Sequence, residues 1–424
     1  MPETPPADAA ERLLALFPSG TEVSAAGEVV IGGCPTGELA ASFGTPTLVI
    51  DEGALRHRAR SYRDGLTQRW PNSQVVWASK SLPYTAAYRL MSEEGLGIDV
   101  AGGGELFLAL AAGADPRTMV MHGNAKTDDE IAMAVKEGVG TIVIDNFDDI
   151  ERLERLASPG QRVLVRVTPG VDAPTHAANA TGHIDSKFGL SPTDAAVAIS
   201  QIRKSGRLVL DGVHTHIGSQ ILDTQPFVKA VEVISALGEF DVYNFGGGLG
   251  AKYTYDSHPP SLDDYLAALV DSARSLIPSH ARIMIEPGRS LVASSGATLY
   301  RIISVKRSSR TFVAVDGGMG DNLEVSLYGQ RFEATIANRV GGGERCTIVG
   351  RHCESGDQLI EDVALRDPKV GDLIAVPVTG AYCLTLANNY NGACRPPIVF
   401  VNNGVPRIVL RRETYSDLIR RDLS

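Results

Sequence analysis

Between residues 74 and 288, eight short apolar runs alternate with stretches of helical spacing, and each run breaks off in polar residues. The runs are QVVWAS (74–79), LGIDV (96–100), TMVMH (118–122), TIVID (141–145), RVLVRV (162–167), LVLDGVHTH (208–216), VYNFGG (242–247) and ARIMIEP (281–287). Strands covered on both faces read as continuous Val/Ile/Leu-rich segments, which is what a parallel sheet flanked by helices needs. The segments between them, such as ELFLALAAGA and DEIAMAVKEG, place apolar residues at helical intervals. Eight βα units are the count for a closed (β/α)8 barrel of the TIM type. An open, doubly wound α/β sheet is the alternative that the pattern leaves.

The pattern changes near residue 290. TLYRIISVKR, TFVAVDGG, RCTIVGRHC, DLIAVPVTG and PPIVFVNNGVPRIVLRR read as strands joined by Gly-, Pro- and Asn-bearing turns, with no long helix before ETYSDLIRRDLS. The expectation is therefore a barrel over 46–290 and a mostly-β domain, sandwich- or barrel-like, over 291–424. Residues 1–45, with VVIGG and the short helix ERLLALF, either pair with that β domain or cap the barrel. A length of 424 residues accommodates both parts.

A formal net charge of −10 argues against a general nucleic-acid binder, which needs a basic surface. The five cysteines are dispersed, with no CxxC pair, so neither a disulfide framework nor a structural zinc site is expected. The start, MPETPPADAAERL, has no basic leader or apolar core, and no apolar stretch reaches membrane-spanning length. The expected compartment is the cytoplasm.

In such a barrel the chemistry sits at the C-terminal ends of the strands. Those ends carry Lys80, Asp99 with Glu105 beyond it, His122 and Asn124, Asp145, Arg166, His214 and His216, Gly246–Gly248, and Glu286 with Arg289. One lysine after a strand is usually only solvated; polar residues at all eight ends of one ring imply a converged site. GGGLG with Arg289 offers backbone N–H groups and a cation to a phosphate, although a glycine turn alone also serves merely to tighten a βα corner. A strand-end lysine can bond to an aldehyde cofactor, a glutamate can hold a pyridine nitrogen protonated, and a histidine can stack on a flat ring. Together these parts specify pyridoxal phosphate. A metal is the rival reading of HTH with Asp and Glu, but the sequence places no third ligand beside His214 and His216. In the β domain, HCESGD (352–357) sets a thiol beside a carboxylate. Cys353 is either an inert residue or a proton donor. A homodimer that carries the β domain of one subunit to the barrel mouth of the other would bring it into play.

Taken together, WASKS, GIDVAGGGEL, HGNAK, DSKFGL, HTHIGSQI, FGGGLG, EPGRSLVA, VDGGMGDN, CESGD and GAYC…NNYN resemble, in order and spacing, the fold-type III pyridoxal-phosphate decarboxylases, and among them the diaminopimelate decarboxylases. The similarity runs from about residue 38 to 418. It implies an α-decarboxylase that forms L-lysine and CO2 from meso-diaminopimelate. Lys80 would carry the cofactor covalently, with Asp99 orienting it. His216 would stack on the ring and Glu286 would pair with the pyridine nitrogen. Ser219, Gly247, Gly248, Gly288, Arg289 and Tyr382 would hold the phosphate or lie beside it. Arg289, Tyr328, Tyr382 and Glu354 would face the substrate. Cys353, as proton donor, and Glu354 would enter from the partner subunit of an obligate dimer. No metal is implied.

One stretch departs from the resemblance. After GGM…DN these enzymes usually read D-N-[IL]-R-x-x-[LM]-Y-G, where the arginine helps to bind the distal carboxylate. Here the stretch is Asp321-Asn322-Leu323-Glu324-Val325-Ser326-Leu327-Tyr328-Gly329. A positive position has become negative. The alternative it raises is a decarboxylase for a related amino acid whose distal group is a cation or an amide, in specialised metabolism. A racemase would need a partner tyrosine base and leaves CESGD unexplained. Retention of Lys80, Cys353 and the phosphate cradle argues against a catalytically silent homologue.

Overall fold

The computed structural model describes residues 13–171, 182 and 186–423. The first residues of MPETPPADAAERL and ERLLALF, and Asp185 of DSKFGL, lie outside them. The chain divides into two compact units, one of residues 58–250 and 259–291, the other of 1–57, 251–258 and 292–424.

Strand β1 (Thr47–Asp51) precedes eight strands that close a barrel: β2 (Ser73–Ala78), β3 (Gly97–Val100), β4 (Met119–Met121), β5 (Thr141–Ile144), β6 (Arg162–Val167), β7 (Val209–Thr215), β8 (Val242–Asn244) and β9 (Arg282–Ile285). Each pairs in parallel with the next, and β9 pairs with β2 through Ile283–Ser73, Met284–Gln74 and Ile285–Val75. Closure decides between the two sheet readings: the open sheet is excluded. Val76, Val120, Val143, Leu164, Val242 and Met284 form one cluster in the barrel core. The helices start and stop on local signals. Before helix Asp128–Glu137, Thr127 and Glu130 cap each other's backbone N–H, and Gly138 ends the helix in the left-handed region at φ 77°. The polar residues that close each apolar run fall at or just past the strand ends.

The second unit is built on β10 (Gly296–Arg307), β11 (Thr311–Val315), β12 (Glu344–Val349), β13 (Gln358–Leu365), β14 (Leu373–Pro377), β15 (Ile398–Asn402) and β16 (Val405–Leu410). Its order is β13-β12-β11-β10-β1-β15-β16, with β14 also on β10. Strand β1, numbered with the barrel by a boundary at 46, lies in this sheet because its backbone is satisfied by antiparallel β10 and parallel β15. Residues 251–258 also belong here: Tyr253 meets Phe332 edge-on at 5.1 Å, and Asp256 pairs with Arg331 at 2.9 Å. The N-terminal residues choose the β unit. Leu13, Phe17, Val29, Ile31, Cys34 and Leu39 share a core with Val49, Leu299, Ala375 and Val401, and Val29 N–H donates to Ala337 at 2.7 Å. No helix among the described residues is long and apolar enough to cross a membrane.

Candidate active site

The barrel gathers its strand-end side chains around Glu286, which follows β9. Glu286 Oε1 accepts hydrogen bonds from His122 Nε2 at 2.8 Å and Asn244 Nδ2 at 2.7 Å, and Oε2 accepts from His214 Nε2 at 3.0 Å. The imidazoles of His122 and His214 meet edge-on, 4.7 Å between centroids. Burial works against ionisation of Glu286, but the two histidines outweigh it and hold the carboxyl well below its usual range. His122 is the imidazole that holds a proton more readily. Burial opposes its proton, and Glu286 and Asp99 together overcome that and raise it. Burial drives His214 down to about 4, so it is neutral at pH 7. A carboxylate has about four acceptor directions. Among the described residues three donors occupy Glu286, which leaves one acceptor direction, on Oε2.

Lys80 lies in a single 3-10 turn, Ser79–Ser81, immediately after β2. Asp99 is buried in β3, and burial pushes its carboxyl up to about 6 against the pull of His122 and Lys80. His216 accepts a hydrogen bond from the Gly247 N–H at Nδ1, 3.2 Å away, which fixes its ring and leaves any neutral proton on Nε2. Burial, then the cations Lys80 and Arg166, hold it well below the usual histidine range. Arg166 pairs with Asp145 at 3.4 Å and lies over the Phe188 ring at 4.5 Å.

The turn after β8 has no room for side chains. A Cβ on Gly247 would lie 2.1 Å from the Glu286 carbonyl oxygen, and one on Gly246 would lie 2.2 Å from that of Thr215. Gly248, at φ 128°, approaches Gly218. Beside this turn Arg289 opens a short helix, is buried, and donates from Nε to Ser219 Oγ at 3.1 Å. Backbone that a phosphate can approach closely, beside a fixed guanidinium, suits a phosphate dianion, although the Gly246 and Gly247 N–H groups are themselves engaged with Asn244 and His216.

Two motif residues acquire explanations that the sequence did not supply. Asn244, unremarked within VYNFGG, holds Glu286 and accepts from the Gly246 N–H at 3.0 Å; a lone amide inside an apolar strand was its signal. Lys126 of HGNAK is buried, its ammonium donating to Gly123 O, Val143 O and Asp149 Oδ2 at 2.6, 2.9 and 2.7 Å. It braces the ends of β4 and β5. The structure also supplies what the metal reading lacked, since ligand atoms of His122, His214 and Glu286 all lie within 4.8 Å of one another. Both imidazole Nε2 atoms are already engaged with the carboxylate.

The other expected site residues lie in the β unit. Cys353 and Glu354 are exposed on the loop between β12 and β13. Glu324 and Tyr328 begin and end the short helix Glu324–Tyr328, with Glu324 only 1% exposed. Tyr382 is held at φ 61°, a region that bulky residues rarely adopt and that costs on the order of 1–3 kcal/mol.

Residues 52–293 match the family described as "Pyridoxal-dependent decarboxylase, pyridoxal binding domain". The chain belongs to the pyridoxal-dependent decarboxylases. This decarboxylase is 45% identical over 422 residues to a diaminopimelate decarboxylase of Actinosynnema pretiosum subsp. auranticum, covering 96% of this chain and 95% of that one. It is 42% identical over 419 residues to the diaminopimelate decarboxylase of Bacillus subtilis (strain 168), covering 94% and 95%. Its fold superimposes on the M. jannaschii diaminopimelate decarboxylase in complex with L-lysine with a TM-score of 0.90, at 30% identity over 96% of this chain and 98% of that one. It is a carboxy-lyase that acts on an amino acid and uses pyridoxal phosphate. The barrel fits that cofactor: a glycine cradle beside a fixed arginine suits the phosphate, and a buried anionic carboxylate with one acceptor direction left suits a pyridinium N–H.

Proposed function

We propose that this decarboxylase removes the α-carboxylate of meso-diaminopimelate, releasing CO2 and forming L-lysine. The observation that carries the reading is the anionic Glu286, fixed by His122, His214 and Asn244 and left with one acceptor direction, in a chain 45% identical to a diaminopimelate decarboxylase over nearly its full length. Bound pyridoxal phosphate supplies the electron sink for the pair left when CO2 departs. Lys80 holds the cofactor covalently, and Asp99 orients that amine. Glu286 would face the ring nitrogen and keep it protonated, while neutral His216 would lie against the ring. Ser219, Gly247, Gly248, Gly288, Arg289 and Tyr382 take the phosphate. Arg289, Tyr328 and Glu354 face the substrate, and Cys353 delivers the proton to the α-carbon.

We further propose a homodimer in which Cys353 and Glu354 of each copy complete the site of the other. Their exposure on the β unit supports this, since a proton donor must reach a substrate. All five cysteines are free thiols, which supports a reducing cytoplasm.

A second reading is favoured by one observation: Glu324 has not swung out to solvent but is buried at the start of its helix. A carboxylate there would repel a distal carboxylate and suit a distal cation or amide. The test is CO2 release from diaminopimelate, lysine, ornithine, arginine and glutamate derivatives. Highest kcat/KM on diaminopimelate, with L-lysine formed, is the expected result; preference for a substrate lacking the distal carboxylate supports the second reading instead.

A further inference from the structure

The exposed loop that carries Cys353 is tied to two others. Arg351 N–H donates to Gly317 O at 2.9 Å, and Gly320 N–H donates to His352 Nε2 at 3.2 Å. Buried Asp357 accepts from Met319 N–H at 2.6 Å with one oxygen and from His352 N–H at 2.8 Å with the other. The carboxylate fits because Gly318 and Gly350 flank it; a Cβ on either would lie 2.6 or 2.2 Å from Oδ2. The third loop, Asn388–Gly392, joins through Asn388 N–H, which donates to Gly320 O at 3.0 Å. These loops also line a recess of about 400 Å3 that includes Glu354, Met319, Ser326, Asn388 and Tyr390.

At Cys353 itself the scaffold makes one side-chain contact with the backbone: the Cys353 N–H donates to Asn391 Oδ1 at 2.9 Å. Asn391 sits at φ 53°, a left-handed conformation that asparagine tolerates better than most residues. Its backbone folds back so that the amide oxygen meets the cysteine N–H. The thiol sulfur is two bonds beyond the Cα that this hydrogen bond orients.

We propose that Asn391 is a positioning residue for Cys353, its Oδ1 fixing the backbone from which the thiol is aimed at the α-carbon. The inference rests on the reading of Cys353 as proton donor. A role in loop folding alone would depend on the left-handed backbone and not on the oxygen, and two substitutions separate these. Asn391→Gly keeps the backbone conformation and removes the acceptor; Asn391→Asp keeps an acceptor at the same reach.

The experiment compares wild type, Asn391→Gly, Asn391→Asp and Cys353→Ala as holoenzymes, using the best substrate of the CO2 screen. It reads kcat, KM and the amine formed per CO2 released, because misdirected protonation lowers amine yield without lowering CO2. Loss of one hydrogen bond in positioning predicts a fall in kcat of about tenfold for Asn391→Gly. Amine per CO2 should fall below one, as in Cys353→Ala, with KM nearly unchanged, and Asn391→Asp should stay within about twofold of wild type. Asn391→Gly with wild-type rate and product ratio overturns the proposal, as does equal loss in the Gly and Asp variants. Cys353→Ala with wild-type rate and ratio overturns the proton-donor reading itself.

Discussion

Glu286 in the barrel and Asp321 in the β unit are both buried carboxylates, and their surroundings shift them in opposite directions. Around Glu286 stand two imidazoles and an amide, and the carboxyl is kept anionic. Around Asp321 burial dominates and Asp316 and Asp357 add like charge, so that its carboxyl is pushed up to about 7 although it accepts from the Gly318 N–H at 2.9 Å. Donors and cations are gathered where a charge must be maintained for chemistry. In the β unit, carboxylates serve as acceptors for loop N–H groups, and Cys353 and Glu354 are left exposed on that frame. The barrel thus carries a site that fits the cofactor, and the β unit carries the residues for which substrate selection and reprotonation are proposed.

The sharpest way to break this division is at Lys80. Lys80→Ala should abolish the yellow colour fixed by borohydride and reduce turnover by about a thousandfold or more. A wild-type protein that stays colourless with added pyridoxal phosphate contradicts the barrel half of the argument. The β half is tested by mixing. Lys80→Ala is expected to be inactive and Cys353→Ala to form little amine per CO2, but a mixed dimer with shared sites has one site free of both changes, so amine formation is the readout. Up to about a quarter of wild-type activity should return under random exchange. No recovery despite measured subunit exchange counts against shared sites.

Inside the barrel, His122→Leu removes the imidazole donor from Glu286 Oε1 and leaves Asn244 there alone. Cofactor affinity, followed by absorbance during dialysis against apo-protein, should weaken about tenfold, one lost charge-assisted hydrogen bond. Unchanged affinity would mean that Glu286 keeps its charge without the histidine. In the β unit, Glu324→Arg should raise kcat/KM for diaminopimelate by about tenfold or more if Glu324 occupies the place of the arginine, because a repulsive charge becomes a bidentate partner. Efficient wild-type turnover that the substitution leaves unchanged removes the altered-specificity reading.

What was legible in the sequence follows the same line. The barrel strands announced themselves because a parallel strand buried on both faces is a continuous apolar run, and polar residues cluster at or just past its end. Lys80, His216 and Glu286 were legible as strand-end residues. Strand β13 was not: Glu361 and Asp362 interrupt QLIEDVAL, and Asp362 takes φ 53° beside irregular pairing with β12. The donors to Glu286 were harder to read, since His122 and Asn244 are distant from it in sequence and only barrel closure brings them to one carboxylate. Asn391 lies within NNYN, but its hydrogen bond to Cys353 crosses 38 residues between loops that carry no periodicity.

A stability measurement tests the state of Asp321. Its carboxyl is near 3.8 in the unfolded chain and about 7 when folded. Between those values the folded protein holds a proton that the unfolded chain has lost. The stability contributed by the neutral carboxyl is therefore fully present below about pH 4 and is lost as pH rises through about 7. Asp321→Asn keeps an oxygen for the Gly318 N–H and cannot ionise, so it should be insensitive over that window. From pH 5 to pH 8, wild type should lose on the order of 2 kcal/mol relative to Asp321→Asn. Asp99, pushed up to about 6, titrates in both proteins and cancels in the difference. The measurement is the Tm of both holoenzymes at half-unit steps of pH. Parallel curves would show that Asp321 is ionised throughout, and that the β unit, like the barrel, keeps its buried carboxylate charged.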